Sequence, residues 1–441
     1  MENKKQYDVV VIGGGASGTA LLYALCTYTD IGSIALFEKY SEVGQVNSNA
    51  KNNSQTLHVG DIETNYSFSK VAEVRPAALM VKKYIDRVPK EDSKGVLEKV
   101  QKMVLAVGAE EVEVLEKRFS EIAPLFPDLR KLDREHIGEV EPEVMRGRDP
   151  AVPVSALYTK EGYAVDFGAL SRSFIQQAKK HPSVSLHLGE EVKKLIPQGT
   201  GYQLHTATGI YGACVVVVNT DAYSLGFAKS LGYGKEFSLI PIAGSFYFSK
   251  KVLRGKVYTM QEPRLPFASV HGDPDMGVVD KTRFGPTARF FPVLESGNMR
   301  TCHRYFSSSG LHRFSTWLSF FSILSEPVRF WYLLKNFLYE LPWFGTWLFA
   351  KQIQKIVPTI TVHDLEKAHG YGGMRLQRVN VNTQELLLGE GKIVGKNIIF
   401  NMTPSPGASV CLYNAMRDAE KICEFLPQFS FNKEQMQKDL L

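Results

Sequence analysis

The run Gly13-Gly14-Gly15-Ala16-Ser17-Gly18 has the G-x-G-x-x-G spacing of a dinucleotide site. A glycine cluster alone is a weak signal. This one follows an apolar run at 7–12, opens an apolar helical pattern at 16–28, and precedes a second strand-like run at 33–38 that ends in Glu38-Lys39. Gly13 permits a tight turn, Gly15 lets the backbone approach a pyrophosphate, and Gly18 lets helix and strand pack closely. The amides of Ala16 and Ser17 at the helix start offer free N–H groups to phosphates. Glu38 stands where an acid accepts hydrogen bonds from ribose hydroxyls. A second strand–turn–helix reading lies near the C-terminus. Thr403-Pro404-Ser405-Pro406-Gly407-Ala408 separates a strand at 397–401 from a helix at 408–425, so another helix start can face negative charge, including that of a reduced flavin.

The elements that must position these residues form an α/β pattern. Helical spacing recurs at 69–87, 110–119, 132–140 and 167–180, and strand-like runs at 102–107, 184–188, 202–206 and 214–219. The last is a continuous β-branched run, typical of a strand buried on both faces. Between 239 and 292 short strands and turn residues alternate, as in an antiparallel sheet. The two patterns interleave. They predict a Rossmann-like dinucleotide-binding domain in three parts (1–75, 146–235 and 371–441) interrupted by an α+β substrate domain on an antiparallel sheet, with cap or substrate material at 76–145 and the body of that domain at 236–370.

Composition excludes several classes. The chain has 441 residues, 44% hydrophobic and 22% charged, with a net charge of +6 and no basic run. That is an ordinary globular balance with no nucleic-acid signature. Five cysteines without a Cys-x-x-Cys argue against a disulfide framework or structural zinc and suit a reducing, cytoplasmic compartment. His363-Asp364 and His271-Gly272-Asp273 are isolated pairs, so no metal site is expected. No signal peptide is evident, and no uncharged apolar stretch reaches the roughly 18 residues of a membrane span.

The glycine motif does not itself separate FAD from NAD. It joins Asn53-Ser54-Gln55-Thr56-Leu57-His58-Val59-Gly60, Gly244-Ser245-Phe246-Tyr247-Phe248, Val270-His271-Gly272-Asp273-Pro274, Gly285-Pro286-Thr287-Ala288 and the 401–409 segment. Together these resemble the malate:quinone oxidoreductases, in particular the shorter ε-proteobacterial type, within the glycine/D-amino-acid-oxidase-like flavoproteins. The resemblance spans nearly the whole chain except about 290–350. It implies non-covalent FAD, contacts from Ser54, Gln55 and Thr56 as well as the glycine loop and 403–408 turn, oxidation of (S)-malate to oxaloacetate in the tricarboxylic acid cycle, and a membrane quinone as acceptor. Two positions depart from the pattern: Thr220-Asp221 stands where relatives have a glycine, and Arg375-Leu376 where they often have Arg-Pro. An L-2-hydroxyglutarate or amino-acid oxidase of the same superfamily, and a non-catalytic carrier with a dinucleotide fold, are the alternatives.

Oxidising a 2-hydroxy acid requires a cation for the carboxylate, a base for the hydroxyl proton and a hydride acceptor. Arg375, beside Gly372-Gly373, is the expected clamp, because its planar fork matches a carboxylate. Arg378, Arg283 and Lys355 are the reserves for a second carboxylate. His271 is the expected base, His58 a flavin contact, and His369, close to Arg375 in sequence, a third catalytic histidine. All four tryptophans (Trp317, Trp331, Trp343 and Trp347) fall within a helical, aromatic and basic segment at 311–349. Such a segment lies on a membrane surface or packs as a helical subdomain or oligomer contact. The first reading places the protein in the cytoplasm, peripheral on its membrane.

Overall fold

The computed structural model describes residues 5–262, 265, 269–341, 343–387, 389–404 and 406–441. Five parallel strands form its first sheet, in the order Ile398–Met402, Ile210–Val218, Gln6–Ile12, Ile34–Glu38, Val184–Leu188. Gly391–Gly395 adds antiparallel at one edge, and a hairpin of Lys194–Gln198 and Gly201–His205 extends from Ile210–Val218. Alternation explains the uninterrupted apolar strands. Val9, Val11, Leu36, Val215 and Val217 pack into one hydrophobic core, whereas Val10, Ile12, Phe37, Val216 and Val218 pack into another on the opposite face. Helices Ala16–Tyr28, Phe68–Arg87, Phe167–Ala178 and Cys411–Phe425 supply the first of these cores.

A second sheet has eight strands in the order Glu366–Lys367, Tyr247–Lys250, Lys281–Gly285, His271–Pro274, Lys256–Thr259, Leu97–Val107, Val154–Val165, Leu129–Leu132. All its pairs are antiparallel except Lys256–Thr259 on Leu97–Val107. The third sheet is antiparallel, in the order Arg289–Phe290, Phe237–Ala243, Met374–Asn380, Glu385–Leu387. Sheet membership departs from the expected segment boundaries at two places. Val154–Val165 pairs with Leu97–Val107 in the second sheet, and Met374–Asn380 pairs with Phe237–Ala243. Periodicity identifies each run as a strand but carries no information about its distant partner.

Two local readings also change. The C-terminal helix starts at Cys411, because 406–410 winds through turns in which Ser409 N–H donates to Pro406 O and Val410 N–H to Gly407 O. The aromatic segment is three helices: Phe314–Leu324, Pro327–Leu338 and Phe344–Ile353. Pro327 starts the second of them, with the Glu326 carboxylate accepting from Arg329 N–H.

Candidate functional site

A cavity of about 650 Å³ opens over the C-terminal ends of the parallel strands and runs on between the other two sheets, as expected for a ligand site in an open α/β sheet. Its first wall is the glycine loop. Gly13 has φ +109°, and a Cβ there would sit 2.4 Å from Asn219 O. At Gly18 a Cβ would sit 1.9 Å from Gly13 O, which is the close helix–strand contact read from the motif. Gly15 caps the helix without a side-chain bond. Among the described residues no protein acceptor takes the Gly15 or Ser17 N–H, while Ala16 N–H donates to Ser48 Oγ at 3.0 Å. The cradle thus keeps donors for an anion at a helix N-terminus. Glu38 lines the same wall, but both its oxygens already accept backbone N–H groups, from Gly14 at 2.6 Å and Tyr40 at 2.9 Å. It shapes the loop while keeping lone pairs for hydroxyls; burial pushes its carboxyl up. Lys39 pairs with Glu295 and donates to Tyr223 at 3.2 Å.

The opposite wall brings the distant segments together. Ser54, Thr56, His58, Thr403, Pro404, Pro406 and Ala408 all line the cavity. Thr403 Oγ1 lies 3.3 Å from Ser17 Oγ, which joins the C-terminal turn to the glycine helix. Gln55 does not line it. With φ +50° its side chain turns inward, donating to Asp275 at 3.2 Å and accepting from Met276 N–H at 3.0 Å. Gly407 closes the turn beneath, its N–H donating to Pro404 O at 2.9 Å, and Ser405 lies outside the described residues.

Arg375 and two of the three histidines face this cavity. Among the described residues the Arg375 guanidinium has no ion pair and no hydrogen bond. Burial pulls its pKa down, with Tyr332 and Tyr66 opposing. It is therefore a desolvated cation with its fork free. The reserve cations are all engaged elsewhere. Arg283 is buried between Asp273 and Asp275 at 3.1 and 3.2 Å. Arg378 donates to Glu390 O and lies over the Phe237 ring, and Lys355 pairs with Glu111. None supplies a second clamp. His369 is exposed at a turn and does not reach the cavity.

His58 is held by Glu63, which pairs with its Nδ1. A carboxylate only accepts, so Nδ1 carries the hydrogen and Nε2 is the acceptor. Nε2 lies 3.2 Å from the hydroxyl of Ser54, another cavity residue. The backbone is fixed by His58 N–H donating to Ser409 Oγ at 3.0 Å. Against the burial that would raise it, the His58 bond and the His58 and Lys102 charges hold the Glu63 carboxyl below its usual value. The Tyr66 hydroxyl feels the charges of both Glu63 and Arg375, and His58 and Arg375 both line the cavity.

His271 is built differently. Its ring stacks on Tyr258 at 4.6 Å and is 1% exposed. Nδ1 faces Ser269 O at 3.2 Å, and Nε2 faces Asp273 Oδ1 at 3.5 Å, with neither of the latter two atoms otherwise hydrogen-bonded. Burial pushes its pKa down to about 4, with Lys256 and Arg283 adding to the effect and Asp273 opposing it. The ring lines the cavity, but both nitrogens face protein oxygens, of Ser269 and Asp273. Glu63, which completes the other dyad, lies outside the segments that sequence reasoning singles out; a carboxylate five residues after His58 is the available signal.

Comparison with known proteins agrees with this architecture. A family model described as malate:quinone oxidoreductase matches residues 5–301. The malate:quinone oxidoreductase of Helicobacter pylori strain J99 is 40% identical over 99% of this chain and 98% of its own length. The chain belongs to the malate:quinone oxidoreductase family. A probable member from Campylobacter jejuni is 39% identical over the full length of both chains. Among solved structures, glycine oxidase from Geobacillus kaustophilus superposes with a TM-score of 0.63 at 17% identity, and the L-α-glycerophosphate oxidase of Mycoplasma pneumoniae, determined with FAD bound, with 0.61 at 16%; each comparison covers 95% of both chains. The fold is thus that of these flavoenzymes, and the protein is an FAD-dependent oxidoreductase. The residues present fit the cofactor: free amides at Gly15 and Ser17 for the pyrophosphate, Glu38 beside them for hydroxyls, and the 403–408 turn for the flavin end.

Proposed function

We propose that this cleft oxidises (S)-malate to oxaloacetate and that the electrons leave to a membrane quinone. Family membership supplies the reaction, and the free, desolvated Arg375 lining the same cavity as the Glu63-paired His58 is the observation that fits it to this chain. Arg375 holds a substrate carboxylate through its planar fork, and the low-dielectric setting strengthens that bond. His58 Nε2 takes the hydroxyl proton, with Ser54 Oγ within reach of the same nitrogen. The imidazolium that results is stabilised by Glu63. Bound FAD supplies the two-electron acceptor for the C2 hydride. His58 takes the base role in place of His271 because its acceptor nitrogen lies beside the hydroxyl of another cavity residue, whereas both His271 nitrogens face protein acceptors. Anaerobic addition of (S)-malate to the reconstituted yellow protein should bleach the flavin band. Failure with malate, together with bleaching by 2-hydroxyglutarate or an amino acid, would move the substrate.

We further infer that the aromatic helices seat the protein on an anionic bilayer. Helix Phe314–Leu324 is apolar on both faces: Phe320 and Ile323 are buried with Thr316 and Ser319, while Phe314, Trp317, Leu318 and Phe321 point outward at i, i+3, i+4, i+7. Phe330, Trp331, Leu334 and Phe337 repeat the outward stripe on the next helix, and Trp343 is 90% exposed. Lys335 and Lys351 accompany these faces. Aromatic and basic side chains on one surface suit a headgroup layer. Among the described residues no helix is long and apolar enough to cross a membrane. Replacing Phe314, Trp317 and Phe321 by Ser should abolish co-sedimentation with phosphatidylglycerol vesicles. Retained binding, or a change in oligomeric state instead, would make the face a protein contact.

A further inference from the structure

Asp221 sits in an expensive position. Its φ of +47° with ψ −110° is a conformation that suits glycine. It lines the cleft, half-buried and without an ion pair among the described residues, and its desolvation pushes the carboxyl up to about 6. Two unfavourable terms at one cleft residue call for a compensating role. The hydrogen bonds around it supply one. Asp221 Oδ2 accepts from Asn47 Nδ2 at 3.1 Å, with further help from the backbone N–H groups of Thr403 and Ala222. The other end of the same amide, Asn47 Oδ1, accepts from Met374 N–H at 3.2 Å, one residue before Arg375. The Arg375 strand leans on this loop: Gly372 N–H donates to Lys51 O at 2.9 Å, and a Cβ on Gly373 would lie 2.3 Å from Asn52 O and 3.1 Å from Asn47 Oδ1.

We propose that Asp221 is a positioning residue for substrate binding: as an acceptor-only carboxylate it orients the Asn47 amide, which then holds the Met374 backbone and fixes where Arg375 presents its guanidinium. An amide has two chemically different ends. A partner that both donates and accepts can pair with either end, but a carboxylate, which only accepts, pairs with the NH₂ end alone. The carbonyl of Asn47 is thereby committed to Met374 N–H. A displacement of even about 1 Å at a carboxylate clamp loosens a charge-assisted, geometrically strict bond. The inference rests on Arg375 as the carboxylate clamp.

The test separates positioning from turn-making. Asp221→Gly relieves the backbone and raises the melting temperature, yet it should raise the KM for malate about ten-fold while kcat stays within about two-fold and FAD content is unchanged. Asn47→Leu should raise KM similarly, and the Asp221→Gly/Asn47→Leu double variant no further than the larger single effect, since both break one chain of bonds. An unchanged KM in Asp221→Gly, or additive effects in the double variant, overturns the proposal. Arg375→Met is the control. If it leaves KM unchanged the clamp reading itself fails; if it raises KM while Asp221→Gly does not, only the positioning role fails.

Discussion

The two histidines on the cleft wall occupy opposite settings. His58 has a carboxylate to itself and keeps its second nitrogen beside a cavity hydroxyl. His271 also faces a carboxylate, but the Asp273 charge is already engaged by Lys256 at 3.2 Å and Arg283 at 3.1 Å, and both histidine nitrogens point into protein. A histidine becomes a base when an acceptor nitrogen meets the substrate and a free negative charge waits for the proton. Burial next to an acid does not suffice. The second setting serves structure: Lys256, Asp273, Arg283 and Asp275 form a buried charge network across neighbouring strands of the second sheet.

That contrast can be broken most strongly at His58. His58→Ala should lower kcat by about 10²- to 10⁴-fold with the flavin still bound, measured by steady-state quinone reduction. Next comes the structural network. Asp273→Asn leaves two buried cations under-compensated and should destabilise the protein by about 3–5 kcal/mol in chemical denaturation. Glu63→Gln should have a smaller effect on rate, about 10- to 100-fold in kcat, because His58 stays in place but loses the charge that stabilises its protonated form. The smallest effect is expected at His271. His271→Asn should change kcat by less than about 10-fold, short of what a positioned base contributes; a larger loss would return the catalytic role to it. The same variant sharpens the contrast through pH. His271 has a folded pKa of about 4 against an ordinary 6.5, so the unfolded chain binds more protons between those values. Its contribution to stability is present above about 6.5 and lost as pH falls toward 4. His271→Asn should therefore flatten the decline of melting temperature across that window.

The cofactor end was legible because its determinants are contiguous. Gly13, Gly15 and Gly18 act through their own backbone and the turn they start, so residue type and spacing carry the chemistry. The buried β-branched run at Ile210–Val218 was readable for the same reason: continuous apolarity states that both faces are covered. Arg375 is readable as a cation beside Gly372-Gly373, but its freedom is not. That depended on Arg283, Arg378 and Lys355 finding partners elsewhere.

Sequence by itself thus determined the α/β class, the glycine cradle, the C-terminal turn that meets it and the family of the chemistry, since each is written in short stretches whose local physics is self-contained. Only the tertiary structure decided which histidine is available, that Gln55 and His369 turn away from the cleft, and that Asp221 meets Asn47 across 174 residues. A proton acceptor is defined by what surrounds its lone pair, and those surroundings come from strands and loops far apart along the chain.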